Sequence, residues 1–184
     1  HRRHEPDRRI DQLRNEMYYA DAFVHGGRWP KPSGIINFLN GASADAVAHR
    51  FGLTGLRVNM NSACSSSAMT IGYGADMIRS GRLEAAVCGG SDALCRTALS
   101  GFNALRVVDT EPCRPFDVTR NGMNLGEGGA VLVLESFEHA QERNATILAE
   151  VNGYGTTNDA YHISAPAENG AGAARCMQLS LQHA

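Results

Sequence analysis

Apolar and polar side chains alternate along Leu56, Arg57, Val58, Asn59 and Met60, the period of a half-buried β-strand. From about Ser65 to Ser80 the side chains become small or apolar on nearly every turn, which predicts a buried helix, and Gly81 supplies a left-handed stop. Gly72 and Gly74 lie inside that helix at a cost of about 1 kcal/mol each relative to alanine, so they make sense only where something packs very close. Ala44, Val47, Ala48 and Phe51 recur at helical spacing before Gly52, an amphipathic helix with a C-terminal stop. His49 lies on its polar side, one turn after Asp45, and reads as a surface residue. The apolar runs 83–88 and 129–134 predict buried strands, and 146–154 a further strand. Ser136 with an early acid predicts a short helix through Arg143, on which His139 is exposed. A helix is also expected at about 9–20, and another from near Gly170 with Ala173, Cys176, Met177, Ser180 and Leu181 on one face. Alternation of strands and helices predicts an α/β fold with a largely parallel sheet.

Composition narrows the function classes. The chain has 184 residues, 43% hydrophobic and 20% charged, the profile of one globular domain. A net charge of −2 leaves no electrostatic footprint for nucleic acid, and Arg2, Arg3, Arg8 and Arg9 are interleaved with Glu5, Asp7 and Asp11 as on a solvated face. No apolar run approaches the ~18 residues of a membrane span, and the first residues lack the apolar core of a signal peptide, so no membrane and a cytoplasmic location are expected. Five cysteines, an odd number, argue against a disulfide framework. Cys88 and Cys95 lack a second matched pair, so no metal is expected.

The chemistry points to Cys64, at the predicted junction of strand and helix. First-turn N–H groups of a helix lack intrahelical partners and favour a thiolate, and the same groups can hold an oxyanion formed on a carbonyl that the sulfur attacks. The connection 91–128 is long enough to be functional. Its glycine-rich end, from Gly122 to Gly129, precedes a strand instead of joining strand to helix, so a dinucleotide site fails on context. Arg114, Asp117 and Arg120 are expected to form a structural ion-pair cluster. A serine hydrolase is disfavoured because no Gly-x-Ser-x-Gly elbow occurs.

Five ordered blocks carry a family resemblance: Asn-Ser-Ala-Cys-Ser-Ser-Ser around Cys64, Cys88-Gly-Gly-Ser-Asp92, Arg114-Pro-Phe-Asp117, Gly126-Glu-Gly-Gly followed by the run to Glu135, and Asp159-Ala-Tyr-His-Ile-Ser-Ala-Pro166. From about Gly34 onward the sequence resembles the β-ketoacyl-acyl carrier protein synthases, in their elongating, type II branch. The resemblance implies a thiolase-like αβαβα layered sandwich, mostly its N-terminal βαβαβ half. Residues 1–33 are then a polar, weakly assigned segment, 34–144 the core of the N-terminal half, and 145–184 the start of a truncated C-terminal half.

It further implies that Cys64 takes an acyl group from a carrier-protein thioester and that decarboxylated malonyl thioester then attacks it. Phe102 and Arg106 would face substrate, Ser164 would hydrogen-bond substrate amides, and His162 would be structural and not the general base. Ile35, Ile36, Phe38 and Met69 are candidates for the acyl tunnel. No cofactor is implied beyond the phosphopantetheine of acyl carrier protein. The implied partners are that carrier and a second subunit, identical or related, paired across the strand at 56–60. Two histidines of the family's C-terminal half are missing from this sequence, so the 184 residues alone are expected to be a fragment without condensing activity. The alternatives are a non-condensing thiolase-like acyltransferase and a chain-length-factor-like partner subunit, whose relatives lack the cysteine.

Overall fold

The computed structural model describes residues 12–26, 39–163 and 165–184; Ile35, Ile36, Phe38 and Ser164 lie outside them. In chain order the described residues form α1 (Gln12–Tyr19), α2 (Ala42–Phe51), α3 (Ser66–Arg79), β1 (Ala85–Asp92), α4 (Arg96–Ala104), β2 (Gly128–Glu135), α5 (Phe137–Glu142) and α6 (Ala171–His183). A π turn, Ala20–Val24, extends α1. The chain divides into two compact units, His1–Asn59 with Ser91–Gly129, and Met60–Gly90 with Ala130–Ala184.

The second unit is built on α3 and the β1–β2 pair. Ser136 N donates to Glu84 O at 3.2 Å while Gly89 lies against the backbone of Ala130 and Val131, so the two strands run antiparallel. The parallel sheet expected from strand and helix alternation is therefore not the arrangement of this pair. Alternation predicts layers, whereas direction depends on how the connection from 93 to 127 returns. Gly72 and Gly74 do serve close packing. A Cβ at Gly72 would lie 2.3 Å from the Tyr154 ring, and one at Gly74 2.4 Å from Cys88 Sγ.

The burial expected of α3 is realised on one face only. Gly72, Gly74 and Ala75 are buried, while Ser67, Ala68, Tyr73 and Asp76 are exposed. The run 129–134 departs further from expectation, for Val131 and Val133 of β2 are 56% and 63% exposed. Apolar character sets which residues gain by burial; the number of layers present decides which are covered.

Two predicted strands, 56–60 and 146–154, belong to no sheet among the described residues. Period-2 patterning describes side-chain exposure, but a strand also needs a partner for its ladder. In 151–155 the carbonyls are instead taken up by side chains. Arg79 donates to Val151 O and Asn152 O, Ser180 Oγ to Gly153 O at 3.3 Å, His183 Nδ1 to Tyr154 O at 3.0 Å, and Cys176 Sγ to Gly155 O at 2.9 Å. Three of those donors come from α6. Its packed side holds Gly172, Cys176, Leu179 and Ser180, whereas Met177 and Leu181, expected on the same face as Cys176, are exposed.

Glu135, at the end of β2, is mostly covered and binds Arg143 through both Nε (2.8 Å) and Nη2, and His139 Nδ1 at 2.7 Å. His139 is therefore half-buried and bonded, not a free surface residue as its helix position predicted. Arg143 first, then His139, hold the Glu135 carboxyl down from 4.5 to about 2. A depressed carboxyl contributes stability that is complete above its unfolded value and is lost as pH falls through the folded one. Comparing the melting temperature of Glu135→Gln with wild type should therefore show a deficit that is constant above about pH 5 and closes between about 4.5 and 2. A deficit unchanged at pH 2.5 would count against this pairing.

In the first unit Glu16 caps α4. Its carboxylate accepts from Arg96 N (3.1 Å), Thr97 N (2.6 Å) and Thr97 Oγ1 (2.6 Å), and the Thr97 hydroxyl above all holds it below its ordinary value. Cys95 Sγ accepts from Ala98 N at 3.3 Å at the same helix start. His49 is exposed and Gly52 takes the left-handed C-cap of α2, both as expected. The predicted ion-pair cluster is corrected, because the two arginines bind carbonyls. Arg114 Nη2 donates to Thr119 O (2.9 Å) and Arg120 Nη1 to Asp117 O (3.0 Å). The Asp117 carboxylate accepts from the hydroxyl and amide of Thr119, which lower its pKa. Nearby donors on the same short turn reach Asp117 before a long guanidinium does.

Candidate active site

Cys64 lies in a 3₁₀ turn, Ala63–Ser65, that runs directly into α3, a helix of 14 residues. Ala63 has φ 46°, a left-handed conformation that costs a non-glycine residue about 1 kcal/mol or more. Serine hydroxyls around it hold the turn. Ser66 Oγ accepts from Ser62 N and donates to Ala63 O, both at 2.8 Å, and Ser65 Oγ donates to Ser62 O at 2.8 Å.

The thiol is exposed. The amides next along, expected as free donors, are in use, Ser65 N on Ser62 O at 3.1 Å and Ser66 N on Ala63 O. The N–H of Cys64 itself takes no partner among the described residues. The turn thus presents a sulfur and one open donor from the same residue, which is the local pairing that attack on a carbonyl needs.

Phe102 and Arg106 belong to the first unit. Phe102 is half-buried on α4. Arg106 follows that helix with φ 58°, and its amide donates to Asn103 O at 2.9 Å, closing the C-terminus where glycine is usual. Its exposed guanidinium makes no ion pair among the described residues. Cys64 and the loop 157–166 belong to the second unit. The loop borders an open groove of about 760 Å³ with Asn158, Asp159, Tyr161 and His162 on its walls. His162 Nδ1 accepts from Ala165 N at 3.1 Å, and Asp159 Oδ2 from Ala167 N at 2.8 Å, so both side chains brace backbone.

Among the described residues no group of three or more His, Cys, Asp or Glu is placed to hold a metal. Cys64, Cys88, Cys113 and Cys176 carry free thiols. Asp109 is a buried carboxylate that sequence reading missed; Oδ1 accepts from Glu111 N at 3.1 Å and Oδ2 has no partner among the described residues. The bracing serines were also missed as such, although the run Ser65-Ser66-Ser67 was their signal.

Comparison with known proteins places these observations in a family. The profile for the N-terminal domain of β-ketoacyl synthase matches residues 18–140, and that for the C-terminal domain matches residues 148–184. A 3-oxoacyl-[acyl-carrier-protein] synthase 2 from Rhizobium meliloti (strain 1021) is 40% identical over 167 residues, covering 86% of this chain and 40% of the relative. Among solved structures, the ishigamide ketosynthase/chain length factor superposes with TM-score 0.85 at 34% identity, over 95% of this chain and 44% of that one. A type II polyketide synthase acyl-carrier protein in complex with its ketosynthase bound to the hexaketide gives TM-score 0.84 at 28% identity, over 95% and 47%. The chain thus has the thiolase-like α/β fold of the ketosynthases, and it spans about 40% of the length of the curated relative.

Proposed function

We propose that this chain, which belongs to the β-ketoacyl synthase family, carries the acyl-accepting nucleophile of a condensing enzyme of fatty acid or polyketide synthesis. The observation that carries the reading is the Cys64 turn: an exposed thiol at the start of α3, beside a strained Ala63, with its own N–H open among the described residues. In the first half-reaction the Cys64 thiolate attacks the carbonyl of an acyl thioester on the phosphopantetheine of acyl carrier protein. Charge develops on the carbonyl oxygen toward the Cys64 N–H, the carbon–sulfur bond to the carrier breaks, and the carrier thiolate leaves and takes up a proton. In the second, a malonyl thioester loses CO₂ and its carbanion attacks the acyl carbon, releasing Cys64 and a β-ketoacyl thioester. Phe102, Arg106 and Ser164 complete the proposed substrate contacts, with residues 34–144 forming the nucleophile-bearing half and 145–184 opening the second half.

Acyl carrier protein and a second ketosynthase-like subunit are the proposed partners. In support, one structural relative is a carrier–ketosynthase complex and another a ketosynthase/chain length factor. A cytoplasmic location is part of the same reading, supported by the free thiols of Cys64, Cys88, Cys113 and Cys176. Among the described residues no helix is long and apolar enough to cross a membrane.

Intact mass after incubation with an acyl-carrier-protein thioester tests the reading. A single acyl adduct that maps to Cys64 is the expected result. An adduct elsewhere on the chain would overturn the assignment of Cys64.

A further inference from the structure

We propose that Ser66 is a positioning residue for acyl transfer to Cys64, acting through its hydroxyl and not through contact with substrate. It rests on the reading of Cys64 as the nucleophile. The Ser66 oxygen spans the strained residue, accepting from Ser62 N before Ala63 and donating to the carbonyl of Ala63 after it, both at 2.8 Å. That carbonyl also accepts the amide of Ser66, so two bonds from one residue converge on it. A left-handed alanine persists only where its surroundings over-determine it.

The other hydroxyls do less. Ser65 Oγ has one proton for Ser62 O at 2.8 Å, Ser62 Oγ at 3.1 Å and Met69 Sδ at 3.8 Å, and none of these bonds reaches across Ala63. Thr70 Oγ1 donates to Ser67 O and Gly89 O, fixing the helix to the sheet below the turn. Among the described side chains only Ser66 Oγ bonds the backbone on both sides of Ala63. Without it the Ser62 amide is released, φ of Ala63 can relax, and the direction of the Cys64 sulfur relative to its own N–H changes. A sulfur that still reacts would then meet a carbonyl whose oxygen no longer faces that donor.

Two reactions of the same thiol separate positioning from simple stability. Alkylation by iodoacetamide needs an exposed thiolate and no oxyanion donor, whereas acyl transfer from a carrier-protein thioester needs both. For Ser66→Ala, acyl transfer should fall about tenfold, the order expected for lost orientation at a reacting centre, while alkylation stays within about twofold. Ser66→Thr, which keeps the hydroxyl, should restore more than half the acyl-transfer rate. Wild-type acyl transfer in Ser66→Ala would overturn the proposal. So would a parallel fall of both reactions with loss of helical signal, since that marks a role in folding alone, and so would failure of Ser66→Thr to rescue. Acylation that survives Cys64→Ala would instead remove the functional reading beneath it.

Discussion

Replacing Cys64 with alanine is expected to lower acyl-adduct formation from a carrier-protein thioester by at least about 100-fold, to the level of stray thiol chemistry, because covalent catalysis has no substitute for its nucleophile. The surroundings of the other four cysteines make the expectation sharp. Cys88 is buried against α3, and burial pushes its thiol up, away from the reactive thiolate. Cys95 is buried and accepts the Ala98 amide at the start of α4. Cys176 donates to Gly155 O at 2.9 Å. Cys113 alone shares the exposure of Cys64. It lies on a loop, with its amide held by Asn124 Oδ1 at 2.6 Å, and has no helix N-terminus behind it. Cys113→Ala should therefore leave the adduct intact while Cys64→Ala removes it. Intact-mass time courses on the two variants check this, and equal loss in both would show that exposure, and not the turn at α3, governs the reaction.

Gly155→Ala is expected to destabilise the second unit by about 3 kcal/mol, the upper end of what over-packing usually costs. A Cβ there would lie 2.3 Å from Cys176 O, 3.0 Å from Leu179 Cβ and 3.0 Å from Ser180 N. Two of those atoms are helix backbone, so no side-chain rotation makes room, and α6 must move away from 153–155. That motion also breaks the bonds from Cys176 and Ser180 to Gly155 O and Gly153 O. Gly101→Ala is the contrasting case: it lies inside α4 with open space around the new methyl, and should stabilise by about 1 kcal/mol through helix propensity. Urea denaturation of the two variants should shift the midpoint in opposite directions. A Gly155→Ala protein as stable as wild type would mean that α6 does not press on 153–155 in solution.

Much of the architecture was legible in local pattern. The helices after Cys64 and before Gly52, the cap at Ser136, and the need for close packing at Gly72 and Gly74 all follow from 3.6-residue periodicity and the cost of glycine in a helix. α4 was missed. Its start is stabilised by Glu16, 80 residues away along the chain, and by a cysteine acting as cap, neither of which is a usual local signal. The strands at 56–60 and 146–154 were over-read because alternation reports side-chain environment, and pairing is a property of two segments.

What the order of residues settled alone was the family, since five ordered blocks need no coordinates to be recognised, and it singled out Cys64, between extended chain and helix, as the proposed nucleophile. It also settled where glycine must admit a neighbour. Only the tertiary structure decided which neighbour fills that space, that β1 and β2 run antiparallel, that Arg114 and Arg120 bind backbone carbonyls and not the Asp117 carboxylate, and that a serine two residues after the cysteine braces the alanine before it. The physical reason is range. Periodicity, capping and turn preference are energies of a few neighbouring residues, whereas partners, strand direction and which amide remains open depend on segments that meet only when the chain has folded.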